Sequence, residues 1–202
     1  MKIYDCFMYS DENMLLDLRL NILNEFIDKF VIVEAQYTHD GKTKKLNFDI
    51  KNFLKFKDKI EYVIVDRQPP DLIDERKEDN LDLISEKKII NSIRRDNFQR
   101  NQISSGLKKA NDEDLIIISD LDEIPNLKNL NFSKIKNNLY FFMQKMFYYK
   151  FNLYYENYIW FGSRATKKKN LKSPQWLRNI KSTKYPFWRV DTFFNKKKSR
   201  VY

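Results

Sequence analysis

The chain has 202 residues, 42% hydrophobic and 15% aromatic, with 3 glycines and 5 prolines, a composition that suits one packed domain and excludes a disordered or low-complexity chain. Cys6 is the only cysteine, and neither a secretion signal nor a run of about 18 apolar residues is present, so a disulfide framework is excluded and the chain reads as a cytoplasmic protein without a membrane span. A formal net charge of +10 points to an anionic partner (nucleic acid, an anionic membrane surface or a small phosphorylated substrate), against the plain alternative of a lysine-rich solvated surface.

Residues 2–8 are apolar and aromatic and predict an opening strand. Ser10 or Asp11 can cap a helix over 13–26, in which Leu15, Leu18, Ile22 and Phe26 recur at helical spacing. A second strand over 30–33 ends at Glu34, which completes a β-α-β unit. A carboxylate there suits ribose or base hydroxyl and N–H groups, the alternative being a surface acid at a strand end. Asp40 and Gly41 then mark a turn crowded by Lys42, Lys44 and Lys45, a basic turn able to neutralise a diphosphate. His39 is the only histidine and reads as a loop residue, which rules out a multi-histidine metal site within one chain. A short helix over 52–57, a strand over 60–65 and a polar crossover over 66–80 continue the alternation.

A longer helix is predicted over 81–109, with Ile90, Ile93, Asn97, Asn101 and Ser104 along one stripe. Its face changes from apolar to amide-bearing halfway, and Arg100 sits level with Asn97 and Asn101. This polar cluster either reaches a ligand or braces the loop after Ser119; the alternative is a solvated helix half. Residues 115–118 (Leu-Ile-Ile-Ile) predict a strand buried on both faces, as in a parallel sheet covered by helices. Asp120, Asp122, Glu123 and Pro125 follow, placing carboxylates where open α/β sheets hold ligands. In an extended segment Asp120 and Asp122 point the same way and can share one hard divalent cation, whose other ligands come from water and nucleotide phosphates. This is the Asp-x-Asp pattern of nucleotide-sugar transferases. An Asp-nucleophile phosphatase also places Asp-x-Asp after a buried strand, but the continuation Glu123-Ile124-Pro125 does not suit it.

Residues 139–155 are dense in Phe and Tyr and predict strands with rings on both faces. Most of these rings belong to the core; some of Tyr154, Tyr155, Tyr158, Trp160 and Trp176 are candidates for a platform against sugar faces. Residues 173–178 predict a capped helix start and 187–194 a last strand, with no internal repeat and no linker. Zinc-finger and RNA-recognition signatures are absent, which favours a basic flank toward a phosphorylated donor or membrane-held acceptor over nucleic acid.

The blocks Tyr4-Asp5-Cys6-Phe7, Arg19-Leu20-Asn21, 28–35 from Asp28 to Ala35, Thr38 with Gly41-Lys42, Arg100-Asn101, and 118–125 from Ile118 to Pro125 together resemble glycosyltransferase family 17, the β-1,4-mannosyl-glycoprotein 4-β-N-acetylglucosaminyltransferase-like group. The resemblance implies an α/β fold of GT-A type, Rossmann-like, with a mainly parallel central sheet. It also implies a Mn or Mg ion, a UDP-sugar donor such as UDP-N-acetylglucosamine, and inverting transfer to a hydroxyl of an oligosaccharide, glycolipid or glycoprotein. Residues 1–125 would form the nucleotide-sugar half and 126–202 the acceptor half of a single domain. By the same likeness Asp120 and Asp122 would hold metal and diphosphate, Glu34 would face the nucleoside, and Arg100 and Asn101 would line or support the donor pocket; Lys42 and Asn97 join them from the basic turn and the amide stripe. The family usually continues into a Gly-Trp-His-Phe-Ser-like segment not found here, so a truncated or divergent member is expected. Inversion needs a base, for which Glu123, Glu156 and Asp191 are candidates and Glu123 the preferred one, with a supporting role equally open to it. Two other readings compete: a catalytically inactive nucleotide- or carbohydrate-binding module, and a basic nucleic-acid-binding protein.

Overall fold

Strands covered by helices on both faces need long apolar runs; the second and fourth strands of the chain have unbroken ones, and the first is interrupted only by Asp5. A computed structural model describes residues 1–128, 130, 139–149 and 152–181, together with the backbone of the strand Lys198–Val201. The fold opens with strand β1 (Ile3–Tyr9), helix α1 (Asn13–Leu23), strand β2 (Lys29–Ala35), a 3-10 segment (Ile50–Phe56) and strand β3 (Ile60–Val65). After the crossover come α2 (Leu81–Asn101), the short α3 (Ile103–Gly106) and β4 (Leu115–Ser119), every residue of which is buried. The later elements are β5 (Leu139–Phe142), β6 (Gln144–Phe147), β7 (Tyr154–Trp160), β8 (Arg164–Lys167), α4 (Pro174–Asn179) and β9 (Lys198–Val201).

Seven strands form one sheet in the order β3-β2-β1-β4-β8-β5-β9, and β6 with β7 forms a separate two-stranded ribbon. Strands β3, β2, β1 and β4 are parallel, β8 runs antiparallel between β4 and β5, and β9 is parallel to β5. The mixed α/β architecture with a mostly parallel sheet agrees with the sequence reading; the antiparallel β8 is additional to it.

Alternation along the strands splits the core into two layers. Phe7, Phe30, Ile32, Leu115 and Ile117 pack with Leu16, Leu20 and Leu23 of α1 on one face; Cys6, Val31, Val33, Ile116 and Ile118 pack with Ile103 and Leu107 on the other. The α1 face departs from the expectation. Leu16, Arg19, Leu20 and Leu23 are buried, whereas Leu18 and Ile22 are exposed. A buried arginine occupies the middle of the true face, so apolar spacing alone selects the neighbouring stripe. The helix predicted over 81–109 is interrupted at Gln102, where α2 ends and α3 begins. Its inward residues include Asn91, Arg100 and Ile103, and Ile93 is exposed. The predicted strand over 187–194, and with it Asp191, lies outside the described residues.

Candidate active site

Strand β1 connects to β2 through α1 on one face, and β3 connects to β4 through α2 and α3 on the other. The carboxyl ends of β1 and β4 therefore flank a topological switch point, the place where open α/β sheets bind ligands. A cavity of about 340 Å³ opens there. It is lined by Tyr9 and Ser10 from the end of β1, Gln99 and Arg100 from α2, and Asp120 and Asp122 beyond β4.

The acidic segment is not extended. The Glu123 N–H donates to the Asp120 carbonyl at 3.1 Å, which closes a tight turn with Leu121 buried. Asp120 and Asp122 thus face one cavity because the chain turns, rather than because strand alternation puts them on one side. The turn is held from below by Arg19. Its Nε and Nη2 donate to the two Asp5 carboxylate oxygens at 2.8 and 2.7 Å, and its Nη1 donates to the carbonyls of Asp120, Leu121 and Glu123 at 3.1, 3.1 and 2.9 Å. Both side chains are completely buried, and the guanidinium also lies 4.7 Å from the centre of the Phe7 ring.

From above, two more arginines converge. Arg100 Nη2 donates to Asp120 Oδ1 at 3.1 Å and its Nη1 to Gln175 Oε1 at 2.6 Å. Arg178, in the last turn of α4, donates through Nη2 to Asp120 Oδ2 and, at 2.7 Å, to Glu123 Oε1, and through Nη1 to the Gly162 carbonyl. Burial works against the charged form of Arg178, but the Glu123 and Asp120 carboxylates outweigh it and raise its pKa above the ordinary arginine value. The α4 helix is seated by its Ser173 cap, which accepts from the Trp176 N–H at 3.1 Å, and by Asn101 Oδ1, which accepts from the Gln175 N–H at 3.0 Å.

Glu123 is buried and fully engaged. Its Oε1 accepts from Trp160 Nε1 at 2.7 Å and from Arg178, and its Oε2 accepts from the Asp120 N–H at 2.8 Å. Asp122 differs from its neighbours: its side chain is exposed to the cavity and has no hydrogen-bond or ion-pair partner among the described residues. Asp120 keeps 39% of its side-chain surface exposed despite its two arginines, so outward lone pairs remain on it.

Other predicted residues are placed differently. Glu34 is completely buried and does not line the cavity. It accepts from Lys44 Nζ at 2.6 Å, the N–H groups of Asn47 and Phe48 at 2.8 and 3.1 Å, and Tyr62 Oη at 2.8 Å, and so latches the loop that follows β2. Lys42 is exposed at the turn tip and paired with Asp40 at 2.7 Å, away from the cavity; Lys44 instead lines an adjoining pocket with Tyr9, Arg95 and Gln99. Asn97 does not reach the cavity, because the face that does carries Asp96, Gln99 and Arg100. His39 also lines it, its Nδ1 2.7 Å from Asp96 Oδ1. Glu156 is exposed on β7 and lines none of these cavities, and Trp176 packs against the core. Arg19 was part of the sequence likeness without an assigned role. Arg178 and Gln175 were missed: the capped start of α4 is legible, but nothing in spacing ties Arg178 to an aspartate 58 positions earlier.

No group of three or more His, Cys, Asp or Glu side chains arranged to hold a metal occurs among the described residues. That rules out a closed all-protein metal cage among them. The donor set fits a hard cation that takes one or two carboxylates and fills its remaining positions with water and phosphate oxygens, as Mg²⁺ does at nucleotide sites.

Residues 1–181 match glycosyltransferase family 17. The chain belongs to that family. As a member of glycosyltransferase family 17 it is a glycosyltransferase, and its acidic turn lies where the sheet topology calls for a ligand. No curated protein and no solved structure matches the chain.

Proposed function

We propose that this family 17 chain is a metal-dependent, inverting transferase with a GT-A-type site, moving a sugar from a UDP-sugar, N-acetylglucosamine in the first instance, to a hydroxyl of a glycan on an oligosaccharide, glycolipid or glycoprotein. The observation that carries this reading is the uncommitted Asp122 carboxylate, exposed on the same switch-point cavity as the half-exposed Asp120. Asp122, aided by the outward lone pairs of Asp120, would hold Mn²⁺ or Mg²⁺. When bound, the ion supplies positive charge that stabilises a leaving diphosphate. Arg100 and Arg178 hold Asp120 in place and add two fixed positive charges beside the cavity. Because both oxygens of Glu123 are occupied, its role in this reading is to brace the turn rather than to take the acceptor proton. No helix among the described residues is long and apolar enough to cross a membrane, and the net charge of +10 supports peripheral approach to an anionic surface that carries the acceptor.

The test is calorimetric titration of UDP with and without Mn²⁺, beside sugar transfer, in the wild type, Asp122→Asn and Asp120→Asn. The expected result is Mn-dependent UDP binding in the wild type that is lost in Asp122→Asn at an unchanged melting temperature. Mn-dependent UDP binding retained in both variants overturns the reading.

A further inference from the structure

The ribbon of β6 and β7 contributes little to the core, yet it is rich in rings. Tyr154, Tyr155 and Tyr158 remain 42, 45 and 42% exposed, far more than buried aromatic residues of the sheet such as Phe141 at 1%. The rings are ordered against one another. Tyr148 lies 5.7 Å from Tyr155, Tyr155 stacks on Tyr158 at 5.8 Å and 22°, and Tyr158 lies 6.3 Å from Trp160. Trp160 in turn donates to Glu123, so this ladder ends on the acidic turn. Phe147 and Tyr154 form a second pair at 5.5 Å, with Lys145 Nζ 5.4 Å from the centre of the Tyr154 ring.

Between the ribbon and the acidic turn runs a groove of about 610 Å³, in the size class of small-molecule sites. Its walls include Phe147, Tyr154, Tyr158 and Ile159; Gln144, Lys145 and Asn126 supply polar groups, and Asp122 lines it as well. Asp122 also lines the switch-point cavity, so the two spaces meet at that carboxylate.

We propose that this groove is the acceptor subsite and that it takes a short oligosaccharide, laid with its pyranose C–H faces on Tyr154 and Tyr158 and its reactive hydroxyl toward Asp122. The proposal rests on the transferase reading above. Three features select a sugar over other occupants. Half-exposed tyrosines offer flat apolar faces together with hydroxyls, which matches a pyranose better than an aliphatic lipid or a dry protein interface. The amide and ammonium groups of Asn126, Gln144 and Lys145 share the wall with the rings, as needed to satisfy sugar hydroxyls. Finally, the groove shares Asp122 with the cavity where a donor would be held, so an acceptor lying in it comes beside the reacting centre.

The probes are lactose, N,N′-diacetylchitobiose and mannotriose, followed by saturation-transfer NMR and by the fluorescence of the tryptophans, one of which, Trp160, ends the ring ladder. At least one sugar is expected to bind the wild type. Tyr154→Ala and Tyr158→Ala are each expected to weaken it about tenfold, the order expected for loss of a ring contact, whereas Tyr158→Phe keeps binding within about threefold because the ring face remains. UDP binding with Mn²⁺ is measured on the same samples and is expected to stay within about twofold of the wild type, since neither tyrosine lines the donor cavity. Undiminished sugar binding in the Tyr154→Ala/Tyr158→Ala double variant overturns the platform, as does failure of all three sugars with the wild type. So would dimerisation of the wild type that the double variant abolishes without any sugar binding, which would assign the ribbon to a second copy. Loss of Mn-dependent UDP binding by the wild type would instead overturn the transferase reading, whatever the sugars do.

Discussion

Arg19 is the residue whose removal tests the site most directly, because it joins the core to the acidic turn without touching the cavity. In Arg19→Met the Asp5 carboxylate is left buried with no cation, a loss that typically costs about 3–5 kcal/mol. The carbonyls of Asp120, Leu121 and Glu123 also lose their shared donor, each hydrogen bond contributing about 1 kcal/mol net. These terms are coupled through one guanidinium and do not add fully, so a total of about 4–6 kcal/mol is expected, a large share of the 5–15 kcal/mol of a typical domain. Pairing the change with Asp5→Asn removes the orphan charge, and the double variant should recover about 2 kcal/mol relative to Arg19→Met. Arg19→Lys keeps the charge on Asp5 but cannot present a planar fork to a carboxylate and three carbonyls at once. That variant should fold, with the Mn-dependent UDP affinity proposed above lowered about tenfold as the turn loosens, a change of about 1.4 kcal/mol. Urea denaturation followed by circular dichroism reads the stabilities, and calorimetry reads the affinity. A cost below about 1 kcal/mol for Arg19→Met would refute the clamp, since a broken buried pair cannot be that cheap. Full UDP affinity in Arg19→Lys would show that the turn holds its shape without the fork.

Gly162→Ala places a Cβ against Glu123 Oε1 and Trp160 Nε1, so it should displace Glu123 from its anchor and reduce sugar transfer by about an order of magnitude, at a stability cost of about 1–3 kcal/mol in urea; unaltered transfer would show that the Trp160–Glu123 contact is dispensable. On the alkaline side, burial, with nearby carboxylates for Tyr9, pushes the Tyr9 and Tyr37 hydroxyls up to about 12, and burial plus the Glu34 hydrogen bond raises Tyr62 further. A free tyrosine titrates near 10, so in this window the unfolded chain binds fewer protons than the folded one. Stability is then full below about pH 10 and falls as the pH rises from about 10 through about 12. A melting temperature constant from about pH 9 to 11.5, or absorbance at 295 nm showing every tyrosine ionising near pH 10 in the folded state, would contradict this burial.

The β-α-β opening, the strand Ile60–Val65, the fully buried β4 and the Ser173-capped helix are all legible because each depends on local pattern: apolar runs, helical spacing and a cap residue before a proline. The site is legible at Asp120 and Asp122, which follow a buried strand, and at Arg100, which the family likeness places at the donor pocket and which lines the cavity. Elsewhere the pattern misleads for one physical reason, which is that buried polar groups stand where apolar ones are counted. Arg19 interrupts the buried face of α1 and shifts the apparent stripe onto Leu18 and Ile22. Asp96, Gln99 and Arg100 form the cavity face of α2, so counting amides adds Asn97 to Arg100 and passes over Asp96 and Gln99. Glu34 stands at the predicted strand end, but four donors from Lys44, Asn47, Phe48 and Tyr62 capture it, and none of those pairings can be read from spacing.

The arrangement of charge at the acidic turn explains why these contacts belong together. Three carboxylates lie within four residues, and in a partly buried site like charges so close repel one another unless cations sit beside them. Arg178 and Arg100 compensate Asp120, Arg178 also compensates Glu123, and Arg19 satisfies the turn's carbonyls from within the core. What remains is a single carboxylate, Asp122, without a protein partner among the described residues. A turn arranged in this way is already shaped before any ligand arrives, and it directs one uncompensated negative charge at the point where the cavity and the aromatic groove meet. Neutralising Asp122 should therefore remove cation recruitment with little effect on folding, whereas neutralising Glu123 leaves Arg178 with one fewer partner in a buried setting and should cost stability first. The two substitutions, made singly and compared in the same assays, separate the carboxylate proposed to bind a cation from the carboxylate that braces the turn.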